Sequence, residues 1–164
     1  NGHIYSTYSE KMCSEMKRLV SLADVITPNV TEACYLTDTE YTGENISLGM
    51  AEILAKKLFD IGTKSVVITG IDNGDTLVNL VYENGKAMPV FIPKANKVFS
   101  GTGDIFASVL TGSLVKGNSL ISATKTASEY IYKCLEFTIK NNAPVAEGVL
   151  FEPLLYTLGG TIHE

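Results

Sequence analysis

Apolar residues recur along this chain with two periods, one typical of helices and one typical of strands. Spacings of three and four residues predict helices, and short runs of β-branched residues predict strands. The predicted helices are Ser9 to Ala23, Thr31 to Leu36, Met50 to Ile61 and Ser119 to about Ile139. The predicted strands are Asp24 to Thr27, Ser65 to Thr69, Thr76 to Tyr82 and Lys86 to Ile92. Helices and strands alternate in the first half of the chain, which indicates an α/β protein.

Turn-forming residues mark the ends of these elements. Pro28 closes the first strand, and Gly62 ends the helix that begins near Met50. The sequence Glu83-Asn84-Gly85 predicts a tight hairpin between the last two strands. The segment 27–32 therefore lies at the carboxyl end of a strand, where open α/β sheets bind ligands.

Size and charge narrow the function classes. A chain of 164 residues with 45% apolar content predicts one domain, spanning 1–164. The net charge of −5 and the lack of a basic run argue against a nucleic-acid partner. Apolar runs shorter than a membrane span predict no membrane partner and a soluble, cytoplasmic protein. The start at Asn1-Gly2, without Met, suggests that this domain is incomplete at its N-terminus.

Cysteine and histidine usage excludes further chemistries. The cysteines are three, scattered and without close pairs, which disfavours a disulfide framework or a thiolate zinc site. His3 and His163, the two histidines, lie at the ends of the chain and offer no obvious catalytic base. Ser-His-Asp chemistry is therefore disfavoured.

The run Gly101-Thr102-Gly103-Asp104 carries the strongest candidate chemistry, because it opens directly onto the apolar stretch Ile105 to Leu114. The first amides of a helix have no internal partner, and together with the helix dipole they stabilise an anion. A carboxylate at this position repels a phosphate, but it suits a base that faces a substrate hydroxyl. An ordinary helix cap is the alternative interpretation of Asp104.

Three segments resemble the pyridoxal kinases of the ribokinase-like superfamily in order and spacing. These segments are Thr27-Pro28-Asn29 with Glu32, then Val66 to Gly70, then Gly101 to Asp104 with Phe106-Ala107. The resemblance implies a three-layer αβα fold, with a mostly parallel sheet and a β-hairpin near the active-site loop. It covers nearly all of the chain but only the C-terminal portion of the family.

The resemblance also implies a reaction: transfer of the ATP γ-phosphoryl group to the 5′-hydroxyl of pyridoxal, pyridoxine or pyridoxamine. Asp104 would be the base, and the amides of Gly101, Thr102 and Gly103 would form the anion hole. A homodimer follows from the resemblance alone.

Cofactor contacts are implied in the same way. Asn29 and Glu32 match the motif that organises Mg²⁺ and its waters, and the need for a monovalent cation stays open. Thr69 and Gly70 would contact the nucleotide, Thr69 through its hydroxyl to phosphate. Phe99 is predicted to pack against adenine, with a place in the core as the alternative. For Asn29 and Glu32, the alternative is an ordinary turn and a helix-start acid.

Other functions remain open. Sugar kinases of the superfamily usually show Ala where Thr102 stands, and hydroxymethylpyrimidine kinases tend to carry Cys where Asp104 stands. Both residues therefore favour a B6 vitamer over a sugar or hydroxymethylpyrimidine. A different class is a non-catalytic nucleotide-binding or structural fragment, whose incomplete sheet would make the isolated 164 residues associate or aggregate.

Overall fold

The computed structural model describes residues 10–43 and 46–159. It divides into two compact units, the first ending at Phe91 and the second beginning at Ile92. The helices of the first unit are α1 (Glu10–Val20), α2 (Val30–Leu36) and α3 (Leu48–Ile61). The strands are β1 (Val25–Ile26), β2 (Ser65–Asn73), β3 (Thr76–Glu83) and β4 (Lys86–Pro93).

Capping residues set the two ends of α3. Ser47 starts α3 by accepting a hydrogen bond from the Met50 amide at 3.1 Å. Gly62 ends it with a φ of 131°, a conformation that favours glycine. One face of α3 is fully buried, and it joins strand residues in the core of this unit. That face consists of Ala51, Leu54, Ala55 and Leu58.

The four strands form one sheet in the order β1-β2-β3-β4. β1 runs parallel to β2, with Val25 opposite Ser65. β2 and β3 are antiparallel, with Val67 opposite Val81. The prediction of a mostly parallel sheet is therefore wrong for the described residues, because β2 continues past Thr69 to Asn73 and turns tightly into β3.

The predicted hairpin is confirmed. Asn84 and Gly85 have φ values of 52° and 74°, which are the left-handed values that a two-residue hairpin turn needs. The helix predicted over Ser9 to Ala23 is confirmed as the shorter α1, and its predicted cap, Ser9, lies outside the described residues.

The second unit contains the helices α4 (Thr102–Val115) and α5 (Leu120–Lys140), followed by two short 3-10 helices, Val145–Glu147 and Glu152–Leu158. The helix predicted over Ser119 to about Ile139 is confirmed as α5, and Ser119 is its N-cap. Buried side chains of this unit pack into a cluster with the tail. The cluster contains Phe99, Tyr130, Cys134 and Val149. Among residues 10–43 and 46–159, no helix combines the length and hydropathy that a membrane span requires.

Candidate active site

The start of α4 leaves backbone amides open. Gly101 is its N-cap, with a φ of 89°, and no side chain caps the helix there. The Gly101 carbonyl accepts a hydrogen bond from the Ile105 amide at 3.1 Å, so the first turn is formed. The amides at the start of such a turn have no partner within the helix and attract anions. The anion hole predicted at Gly101, Thr102 and Gly103 stays a prediction. Because Gly101 is the N-cap, the first amides within the helix are those of Thr102, Gly103 and Asp104.

Asp104 lies in the first turn of α4 and is exposed. Ser108 donates to its backbone carbonyl at 2.8 Å and not to its carboxylate. Within the part of the chain that the structure describes, this carboxylate has no hydrogen-bond or ion-pair partner. It is therefore available to accept a proton from a substrate.

A cavity of about 740 Å³ in the second unit begins at this helix start and continues along α4. Its lining includes the start of α4, with Ser100, Gly101 and Asp104. Most of the wall is apolar, with polar side chains such as Lys116 and Thr126 among the apolar ones. The apolar lining includes Ile105, Val109, Val149, Leu155 and Leu158. Such a combination of an apolar wall and a few polar groups is typical of small-molecule sites.

The tail of the chain packs against the loop that leads into α4. Gly148 has a φ of 77°, and a Cβ added there would lie 3.2 Å from the carbonyl oxygen of Ser100. A side chain at position 148 would therefore push on the residue next to Gly101. No local pattern predicts this contact, because 48 positions separate the two residues.

Tyr130 on α5 fixes the same tail. Its hydroxyl donates to the Phe151 carbonyl at 2.9 Å, and its ring is 3% exposed. Burial, with smaller contributions from Cys134 and Glu152, raises the pKa of Tyr130 to about 12. Burial also raises the pKa of the Cys134 thiol. Both groups are therefore neutral at physiological pH and act as packing residues beside the cavity.

Phe99 belongs to this core and not to the cavity lining. Its ring is 3% exposed and packs with Tyr130, Cys134 and Val149. The predicted contact with adenine finds no support, since a buried ring offers no face to a nucleotide. The alternative, a core position, is the one that the structure supports.

In the first unit, Asn29 and Glu32 form a capping box at the start of α2. The Asn29 side chain accepts from the Glu32 amide at 2.9 Å, and the Asn29 amide donates to Glu32 Oε2 at 2.9 Å. Both side chains are thereby held at the carboxyl end of β1, where the prediction placed them. The box alone accounts for these residues structurally.

The capping box leaves one carboxylate oxygen of Glu32 that could take part in holding Mg²⁺. Glu32 is exposed and uses Oε2 in the box, whereas Oε1 accepts no hydrogen bond from the described residues. The same residues contain no cluster of three or more His, Cys, Asp or Glu side chains that could hold a metal. Mg²⁺ commonly keeps several waters and takes one or two carboxylates together with substrate phosphates. One free oxygen on Glu32 suits that pattern.

Thr69 and Gly70 lie at an irregular point of β2. The Thr69 amide donates to the Pro28 carbonyl at 2.8 Å, and Thr69 bridges Asn29 in parallel register. The Gly70 amide donates to the side-chain oxygen of Asn79 at 2.9 Å. The first unit thus brings together four predicted site residues. They are Asn29, Glu32, Thr69 and Gly70. Asn79 was not predicted, because nothing in its own neighbourhood along the chain distinguishes it from other strand residues.

A family model described as phosphomethylpyrimidine kinase matches residues 5–148. The chain belongs to the phosphomethylpyrimidine kinase family. It is 33% identical to the hydroxymethylpyrimidine/phosphomethylpyrimidine kinase of Aquifex aeolicus over 132 residues, which are 79% of this chain and 48% of the relative. The chain thus spans about half the length of the curated relatives that it matches.

Solved structures of this family and of pyridoxal kinases have the same fold. A Bacteroides thetaiotaomicron protein assigned as a phosphomethylpyrimidine kinase matches with a TM-score of 0.92 and 32% identity, covering 100% of this chain and 57% of that one. A second crystal form of it contains pyridoxal. The pyridoxal kinase of Lactobacillus plantarum matches with a TM-score of 0.86 and 26% identity, covering 96% and 56%.

These matches confirm the predicted three-layer α/β class, with a mixed sheet. They also show that the resemblance extends beyond pyridoxal kinases, since the Aquifex relative is named as a pyrimidine kinase and the Lactobacillus structure as a pyridoxal kinase. The relatives are named as kinases of hydroxymethylpyrimidine and phosphomethylpyrimidine.

Proposed function

We propose that this chain is the catalytic portion of an ATP-dependent kinase that phosphorylates the hydroxymethyl group of a B6 vitamer. The observation that carries the proposal is Asp104, an exposed carboxylate without a partner in the described residues, in the first turn of a helix whose N-cap has no side-chain cap. A base beside free amides is the combination that phosphoryl transfer to an alcohol requires.

In the proposed reaction, a carboxylate oxygen of Asp104 accepts the proton of the substrate hydroxyl. The hydroxyl oxygen forms a bond to the γ-phosphorus of ATP as the bond from that phosphorus to the β,γ-bridging oxygen breaks, and ADP leaves. The amides of Thr102, Gly103 and Asp104 would stabilise the charge on the transferring group. Each such donor is typically worth about 3 kcal/mol in the transition state.

The cavity along α4 supports the nucleotide part of the proposal. Its polar residues Ser100 and Asp104 adjoin Gly101, and apolar lining residues such as Val109 and Val149 suit a flat ring. We infer that adenine packs against this wall and not against Phe99. When bound, Mg²⁺ would neutralise phosphate charge, and Asn29 and Glu32 are the residues proposed to organise it.

The choice of a B6 vitamer has two supports. Asp104 stands where, by the resemblance given above, hydroxymethylpyrimidine kinases tend to carry Cys. The Bacteroides protein with 33% identity and a TM-score of 0.89 was crystallised with pyridoxal. The second candidate is a hydroxymethylpyrimidine kinase, which the similarity to the Aquifex enzyme favours. The homodimer stays a prediction.

A substrate panel separates the candidates. The whole protein that contains this chain is incubated with Mg²⁺ and ATP, and ADP release is measured with pyridoxal, pyridoxine, pyridoxamine, hydroxymethylpyrimidine, its monophosphate and ribose. We expect the highest kcat/KM with a B6 vitamer. A preference for hydroxymethylpyrimidine would establish the second candidate, and absence of turnover on every alcohol would refute the kinase proposal.

A further inference from the structure

The bulge in β2 rests on one buried polar side chain. Ile68 pairs with Leu80 and Ile71 pairs with Val78, so Thr69 and Gly70 together face the single residue Asn79. A bulge of this kind bends a strand and changes the direction of its side chains. Gly70 has a φ of 69°, which a residue with a side chain rarely adopts.

Asn79 occupies the place where the ladder is interrupted. It is 5% exposed, and its Oδ1 accepts the Gly70 amide at 2.9 Å. Buried polar side chains are retained in a core when their hydrogen bonds are made, since an unmade bond is costly. The side chain thus replaces a backbone carbonyl as the acceptor for the Gly70 amide.

The bulged residues are held from the other side by the loop after β1. The Pro28 carbonyl accepts from the Thr69 amide at 2.8 Å and from the Thr69 hydroxyl at 3.4 Å. Since β1 and β2 are parallel, this contact joins the residues just after the carboxyl end of β1 to the middle of β2. Thr69 is therefore fixed between Pro28 and the Gly70–Asn79 bond.

We propose that Asn79 is a positioning residue of the nucleotide site, which orients Thr69 and Gly70 for contact with the phosphates of ATP. The inference rests on the proposed kinase function and on the phosphate contacts that the family resemblance implies for Thr69 and Gly70. Asn79 touches no substrate in this account, and it acts through the direction of the Gly70 peptide. Loss of its acceptor would release that peptide and weaken nucleotide binding, without a direct effect on the acceptor alcohol.

The test uses Asn79→Leu, which keeps the branching and the number of side-chain heavy atoms but removes the acceptor, and Asn79→Asp, which keeps an oxygen in the same place. Val78→Ala is the matched control, because Val78 is fully buried next to Asn79 in the chain and its apolar side chain accepts no hydrogen bond from the Gly70 amide. All variants are made in the whole protein, and thermal unfolding verifies that each is folded.

We expect Asn79→Leu to raise the KM for ATP about tenfold, the effect of one lost interaction of about 1.4 kcal/mol, with the KM for pyridoxal unchanged within about twofold. Asn79→Asp should restore most of the ATP affinity. Val78→Ala should lower the unfolding temperature and leave the KM for ATP unchanged. An unchanged KM in Asn79→Leu, or an equal rise in Val78→Ala, would overturn the proposal.

Two further measurements do not depend on turnover or on Asn79→Asp being folded. Hydrogen exchange of the Gly70 amide, followed by NMR, should accelerate at least about tenfold in Asn79→Leu. Calorimetry should show weaker binding of a non-hydrolysable ATP analogue. If the wild-type protein binds the analogue but phosphorylates no alcohol, the kinase proposal fails while this comparison still tests Asn79. Equal affinity of both proteins for the analogue would refute the positioning role.

Discussion

The starts of α2 and α4 differ in how the unpaired backbone amides of the first helical turn are treated. At α2, Asn29 and Glu32 satisfy each other's backbone amides through a capping box. At α4, Gly101 supplies no side chain, and the carboxylate of Asp104 has no partner in the described residues. A helix start that is not closed by its own side chains is available to an anionic ligand.

The two starts also differ in what holds them. The α2 start is local, since its capping bonds join residues three positions apart. The α4 start depends on distant parts of the chain, since Gly148 packs on Ser100 and Tyr130 holds the tail through Phe151. Local caps build a helix, whereas an open site needs a scaffold that keeps it in place. Substitutions far from α4 in sequence should therefore affect it.

The largest expected effect comes from Asp104→Asn. The amide cannot accept the hydroxyl proton as a base, so kcat should fall by about 10²- to 10⁴-fold, with the KM for ATP little changed. Asp75→Asn, an exposed acid in the turn between β2 and β3, is the matched control and should keep full activity. Near-normal turnover in Asp104→Asn would show that the open start of α4 does not supply the base.

The second prediction concerns Tyr130, which braces the tail. Its pKa is about 10 in the unfolded chain and about 12 in the folded protein, so the folded state holds the proton more tightly. Stability is therefore independent of this group below pH 10 and falls as the pH rises from 10 to 12. The loss should be about 2–3 kcal/mol in the free energy of unfolding.

The control for this titration is Tyr130→Phe, which also removes the bond to the Phe151 carbonyl. Denaturant unfolding across pH 9 to 12 should show a flatter profile for the variant than for the wild type. If the free energy of unfolding depended on pH in the same way in both proteins, Tyr130 would not be the group that titrates. At neutral pH the variant should be less stable by about 1 kcal/mol.

Gly148→Ala tests the contact with Ser100. Its Cβ would lie 3.2 Å from a backbone carbonyl and in a left-handed conformation, so we expect a loss of about 1–3 kcal/mol in stability and a reduced kcat. Gly112→Ala, in the middle of α4 with no atom within 4 Å of the added Cβ, should instead stabilise the protein by up to about 1 kcal/mol. Equal stabilities of the Gly148→Ala and Gly112→Ala variants would contradict the proposed role of the contact between Gly148 and Ser100.

The smallest effect on stability is expected for Glu32→Gln, which tests whether the α2 start is only a cap. Glutamine preserves a capping box, so the free energy of unfolding should change by less than about 0.5 kcal/mol. Loss of the carboxylate charge should raise the Mg²⁺ concentration needed for half-maximal activity several-fold. An unchanged Mg²⁺ requirement would leave Glu32 with a structural role alone.

Much of the fold could be predicted, because the relevant interactions are local. The periodicity of α3, the start of α5 at Ser119 and the Asn84-Gly85 turn each depend on residues within a few positions, and all three are confirmed. The sequence motif Gly101 to Asp104 likewise indicated the open helix start. The resemblance to a kinase family added the prediction that the reaction is phosphoryl transfer.

The remaining features depend on long-range packing. Phe99 was predicted at the nucleotide, but α5 and the tail enclose its ring. The mixed sheet arises because β2 extends beyond Thr69, and its bulge is paired with Asn79 on the next strand. No local pattern specifies which strand residue will face a bulge. The contact of Gly148 with Ser100 is hidden for the same reason.

In the proposed mechanism, the phosphoryl group is transferred at the open start of α4. A crystal structure of the whole protein with Mg²⁺, ADP, aluminium fluoride and pyridoxal tests it most directly. We expect the aluminium fluoride within hydrogen-bond distance of the amides of Thr102 to Asp104, with the Asp104 carboxylate on the hydroxymethyl oxygen. Aluminium fluoride bound elsewhere, with Asp104 out of reach of that oxygen, would contradict the account.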